Sequence, residues 1–129
     1  MIRAHRQRAE RRGRHGEVWA AIWLICQGWQ ILARRARTPL GEIDLVARRG
    51  RTLAFIEVKW RRSPEDALAA LHPRQQDRLL RAAALWRSRR ADLIDHATRF
   101  DLICLSPGHW PRQLRGVIDA HARKQNDLI

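Results

Sequence analysis

The chain has 129 residues, 45% of them hydrophobic and 30% charged, enough apolar material for one packed core and too little length for two. A formal charge of +13 excludes the usual profile of a protein with cationic partners and points to a polyanion, nucleic acid ahead of an anionic membrane surface. Cys26 and Cys104, each in an apolar run, suit buried reduced thiols rather than a disulfide framework, and no apolar run is long enough to span a bilayer, so a soluble cytoplasmic protein is expected.

In chain order, residues 1–12 read as a flexible basic arm, residues 13–122 as a single domain and residues 123–129 as a polar tail. From Arg14 to Gln27 the spacing of Val18, Ala21, Ile22, Leu24 and Ile25 predicts a helix, with Gly28 placed to end it. Trp29 to Arg34 is a short strand candidate, followed by the breakers Pro39 and Gly41. Glu42 to Arg48 and Leu53 to Trp60 flank a charged tip at Gly50, the pattern of a β-hairpin. Arg61 to Ala70 reads as a loop in which Pro64 starts a helical turn. Pro73 then opens a helix to about Arg90, with Leu79, Ala82, Ala83 and Trp86 on one face. Arg99 to Ser106 is a buried strand, and residues 114–122 supply a last short strand or helix. The order α-β-β-β-α-β defines an α/β sandwich with helices on both faces of the sheet.

A short turn between Gly50 and Arg51 sets a register in which Asp44 faces Glu57 and Glu42 faces Lys59, all four on one side of the sheet. Two carboxylates about 5 Å apart repel by roughly 3 kcal/mol at an effective dielectric of 20, so the pair needs a reason to exist. A hard divalent cation supplies one, because Mg²⁺ is commonly held by one or two carboxylates with water and phosphate, and the Val58 carbonyl stands ready as a further ligand. Lys59 is one of only two lysines among 26 basic residues, and its compact ammonium can orient an attacking water or offset phosphate charge. The alternative is a solvated face on which Asp44 and Glu57 pair with Lys59 and arginines.

These residues resemble the PD-(D/E)xK nuclease superfamily: GEIDLV followed by FIEVK gives D-x12-E-x-K. Together with GRHGEVWA at 13–20, RQQDRLLRAAALW at 74–86, RFDLICL at 99–105 and GVIDA at 116–120, they resemble the YraN-like family of small bacterial proteins classed as endonucleases. The resemblance implies a restriction-endonuclease-like, Holliday-junction-resolvase-like αβββαβ core, a mixed sheet with an antiparallel hairpin flanked by helices. It further implies Mg²⁺ or Mn²⁺ at Asp44 and Glu57, Lys59 as the base that positions water, and Glu17 and Gln75 as supporting site residues. Two positions depart from the family pattern: Arg35 stands where an asparagine is expected, and His121 where a phenylalanine is expected.

The expected activity is metal-dependent hydrolysis of DNA, branched DNA and a homodimer being implied by fold analogy alone. The competing expectation is a nucleic-acid-binding accessory that keeps the fold without turnover. Arg34, Arg35, Arg37, Arg48, Arg49, Arg51, Arg61 and Arg62 flank the site in sequence and are candidate phosphate contacts. Of six tryptophans, Trp19, Trp23, Trp29 and Trp86 read as core and Trp60 and Trp110 as the exposed pair. The six scattered histidines form no zinc motif.

Overall fold

The structure is a computed structural model and describes residues 15–119; the expected arm over 1–12 and tail over 123–129 lie outside them. Helix α1 covers residues 15–26 and stops where Gly28 adopts φ +87, a conformation costly for side chains with a Cβ. There the Gly28 amide donates to the Ile25 carbonyl at 3.0 Å and the Trp29 amide to the Leu24 carbonyl at 2.9 Å.

The face that α1 turns to the sheet differs from the expected one. Glu17, Ala20, Ala21 and Leu24 are buried, whereas Val18, Ile22 and Ile25 are exposed. Apolar residues occupy most of the helix circumference, so spacing does not choose a side. Size does, since Gly16 and the two alanines let the helix sit close, and a Cβ built on Gly16 would meet Trp60 Nε1 at 2.5 Å. Cys26, expected in the core, is exposed at the helix end, while Cys104 is buried.

Three strands follow: β1 (Gln30–Thr38), β2 (Gly41–Arg49) and β3 (Thr52–Trp60). The first is longer than expected because Pro39 and Leu40 form a tight turn instead of a loop, with Thr38 paired to Gly41. Thr38 Oγ1 donates to the Gly41 carbonyl at 2.7 Å and accepts from the Leu40 amide at 3.2 Å. Helix α2 (Pro64–Ala69) is capped by Ser63, whose hydroxyl accepts from the Asp66 amide at 3.1 Å. Helix α3 (Pro73–Ser88), a 3-10 turn (Ala91–Leu93), strand β4 (Ala97–Leu105) and strand β5 (Arg112–Leu114) complete the order. Among the described residues the last strand falls before most of the segment expected to hold it, and residues 115–119 form neither helix nor strand; positions 120–122 of that segment lie outside the described residues.

The strands make one mixed sheet, ordered β1-β2-β3-β4-β5, in which only β3 and β4 run parallel. Helices α2 and α3 make the crossover that a parallel pair requires. On one face, α3 packs Leu79, Ala82 and Ala83 against Ile43, Val46, Leu53 and Phe55. Phe55 meets the Trp86 ring edge-on at 5.8 Å and stacks on Phe100 at 5.7 Å. On the other face, α1 packs Ala20, Ala21 and Leu24 against Leu45, Ala54, Ile56 and Ile103. This is the mixed α/β architecture expected, arranged as a restriction-endonuclease-like core.

Asp101, fully buried on β4, fixes the last segment. It takes two 2.9 Å hydrogen bonds from Arg99, one of 2.9 Å from Gln113 Nε2 and one of 3.0 Å from the Gly116 amide. A buried carboxylate is tolerable only with such saturation.

Candidate active site

The β2–β3 ladder follows the expected register from Arg49–Thr52 to Leu45–Ile56 and stops one pair short of Asp44–Glu57. Asp44 is where β2 loses its alternation. Leu45 and Ala47 belong to the α1-side core, yet Ile43, of the same parity, packs into the α3-side core. On β1 the matching position is Arg35, at φ +50, between the paired residues Arg34–Leu45 and Ala36–Ile43. Arginine is uncommon in this left-handed region, which asparagine tolerates better.

The Asp44 carboxylate lies where β2 and β3 part. Its Oδ2 accepts from the Val58 amide at 2.9 Å. Val58 thus meets the Asp44 carboxylate through its amide. Glu57 and Lys59 continue the Leu53–Phe55 side of β3 toward α3, and both are largely buried, with side chains 13% and 16% exposed. Lys59 Nζ stands 3.7 Å from Glu57 Oε1, and Gln75, in the first turn of α3, donates its amide to the same oxygen at 3.0 Å. Asp44 and Glu57 are within hydrogen-bonding reach of each other.

Electrostatics follow from this crowding. Burial, and then the Asp44 charge, push Glu57 up to about 8, against the opposing pull of Lys59. Asp44 is raised as well, chiefly by burial. The Val58 amide and Lys59 resist the shift, whereas Glu42 and Glu17 add to it. The centre therefore holds more carboxylate than its cations neutralise.

Glu17 and Glu42 adjoin this centre but are turned elsewhere. Glu17, buried at 5% exposure, accepts from Arg35 Nε at 2.5 Å, with Arg34 Nε at 3.9 Å. The family departure at Arg35 thus supplies the counter-ion of the helical acid. Glu42 faces Arg37, at 3.7 Å, rather than Lys59.

The candidate phosphate arginines divide by position. Arg34, Arg35 and Arg37 on β1 and Arg61 and Arg62 after β3 lie at the end of the sheet that holds the carboxylates. Arg48 and Arg49 lie toward the opposite end, four and five strand residues or roughly 13–17 Å from Asp44, and Arg51 lies beyond them in the turn. There Arg48 donates to Gln30 Oε1 and Arg49 lies over the Trp29 ring. Trp29 is core, Trp110 is 78% exposed and Trp60 is half-buried, but Trp19, expected inside, is 56% exposed beside Val18 and Ile22.

A five-stranded mixed sheet between two helices, with two carboxylates, a lysine and a glutamine converging where two strands part, defines a carboxylate–lysine centre on a restriction-endonuclease-like core. The chain belongs to the uncharacterised protein family UPF0102, whose profile matches residues 16–105, a span that includes all five side chains from Glu17 to Gln75. It is 50% identical over 115 residues to a UPF0102 protein of Maricaulis maris, covering 89% of this chain and 90% of that one. With a Caulobacter vibrioides relative the identity is 51% over 114 residues, covering 88% and 91%. A Mesorhizobium japonicum relative is 48% identical over 108 residues, covering 84% and 86%. Among the described residues, no helix is long and apolar enough to cross a membrane.

Proposed function

We propose that this protein is a cytoplasmic, divalent-metal-dependent nuclease of the PD-(D/E)xK kind that hydrolyses DNA phosphodiesters. The observation that carries the reading is the single Glu57 oxygen that Gln75 and Lys59 both address, with the Asp44 carboxylate in reach. No three His, Cys, Asp or Glu side chains gather into a cage among the described residues. Two adjoining carboxylates with raised proton affinity nevertheless suit a hard cation that keeps water and phosphate oxygens as its other ligands. Held by Asp44 and Glu57, Mg²⁺ or Mn²⁺ supplies charge neutralisation for the phosphate and acidity for the attacking water.

The chain's own residues do the rest. Gln75 fixes the Glu57 carboxyl plane, and the Val58 amide fixes Asp44 Oδ2. Lys59 sets an ammonium beside the reacting phosphate, where it orients water and offsets developing charge. Glu17 and Arg35 position the first turn of α1 against the strands.

Cleavage of linear, flapped and junction DNA in Mg²⁺, Mn²⁺ or EDTA tests the proposal. Activity should require metal and fall at least about a hundredfold in Lys59→Ala and Glu57→Ala. Equal cleavage by wild type and Lys59→Ala would reject the mechanism. Salt-sensitive DNA binding without cleavage, surviving Asp44→Ala, would assign the chain an accessory role instead.

A further inference from the structure

On the α1 side, β3 and the segment after β4 enclose a pocket of about 380 Å³, lined by Trp19, Trp60, Leu105, Pro107, Trp110 and Pro111 among others. Trp60 is a fixed wall, held against Gly16 of α1. Trp110 is the most exposed of its three tryptophans and lies 6.4 Å from the half-buried Trp23. Three indoles around one cavity are more than the core needs, because the sheet face beneath is already closed by Ala20, Ala21 and Leu24.

The pocket joins the carboxylate centre through two elements. Lys59 and Trp60 are consecutive on β3, one on each face, and Glu17 and Trp19 share the first turns of α1. Exposed Arg61 and Arg62 follow directly. The Arg61 carbonyl accepts from Ser106 Oγ at 2.5 Å, which ties this arginine pair to the segment that forms the pocket. Two exposed arginines thus follow the Trp60 wall of the cavity directly in the chain, at the strand end where the carboxylates sit, with Arg61 Nη1 donating to the Trp60 carbonyl at 2.7 Å.

We infer that this pocket takes an unpaired base of a DNA single strand, stacked on Trp110 and Trp19, while Arg61 and Arg62 hold the phosphates between it and the Asp44–Glu57 centre. The inference rests on the nuclease reading and names its substrate: DNA with an unpaired segment beside the bound phosphate. Indole faces bind bases without regard to sequence, and the arginines supply the backbone attraction. A second copy of the chain seated on the same face would instead bring together two proteins of +13 charge.

The test is equilibrium binding by the full chain in EDTA, using a blunt duplex and the same duplex with an unpaired tail carrying 2-aminopurine. The tailed DNA should bind more tightly and its 2-aminopurine emission should be quenched. Trp110→Ala with Trp19→Ala should cost the tailed DNA roughly tenfold in affinity and leave the blunt duplex unchanged. Trp110→Phe should retain most of the preference, and Ile94→Ala, exposed elsewhere, should change nothing. Equal affinity for both DNAs in wild type, or an unaltered tail preference in the tryptophan variants, would overturn the inference while leaving the nuclease reading intact. Binding of neither DNA would overturn both. A wild-type dimer that Trp110→Ala converts to monomer would assign the face to a second copy and also overturn it.

Discussion

Glu57 sits between neighbours that pull its proton in opposite directions, which makes its titration a direct probe of the centre. Its ordinary value of 4.5 rises to about 8 in the folded protein. Between those pH values the native state keeps a proton that the unfolded chain has released, so stability is greatest at the acid end and declines as pH rises. Glu57→Gln cannot ionise and should remove the decline. It should match wild type near pH 4.5 and exceed it at pH 8.5 by on the order of 2 kcal/mol, measured by urea denaturation. A variant no more stable than wild type at pH 8.5 would mean that Glu57 ionises freely. A cation held there as proposed would compete with the same proton, so Mn²⁺ should raise Tm more at pH 8.5 than at pH 5.5. Asp44→Asn should abolish that increment in thermal melts.

At the level of elements, α1 and the segment after β4 depend on two close contacts. Gly16→Ala forces a methyl group into the Trp60 ring edge and should destabilise the fold by about 1–3 kcal/mol, read from the denaturant midpoint at unchanged m. An unperturbed midpoint would mean that α1 can lift from the sheet without loss. Asp101→Ala leaves Arg99, Gln113 and the Gly116 amide without their shared acceptor. The expected loss is about 3 kcal/mol, with amide exchange accelerated first in β5. Asp101 was legible only as one acid in RFDLICLS, because its partners lie up to fifteen residues away in sequence. The β1–β2 hairpin was more accessible: a Thr-Pro-Leu-Gly turn between strand-like segments is a hairpin signal, although Pro39 and Gly41 also read as simple breakers.

Across the whole molecule, the charge of +13 makes the proposed DNA binding a matter of which arginines would reach phosphate. Arg61→Ala and Arg62→Ala, at the carboxylate end, should each reduce the slope of log K against log salt by about 1. Arg51→Ala, at the far hairpin tip, should leave it unchanged, and binding titrations across a salt series distinguish the two. An equal effect from Arg51 would place the DNA along the full length of the sheet.

The sequence by itself determined the elements and much of the centre's layout. A short turn at Gly50–Arg51 and strand alternation are local rules, and they brought Asp44, Glu57 and Lys59 to one end of a hairpin; the phase of α3 added Gln75. Tertiary structure decided what those rules leave free. The ladder breaks at Asp44, α1 turns its small residues rather than its Val18–Ile22–Ile25 stripe to the sheet, and Arg35 pairs with Glu17. Each depends on how closely two elements can approach, a property of paired surfaces that the spacing of residues along one element does not contain.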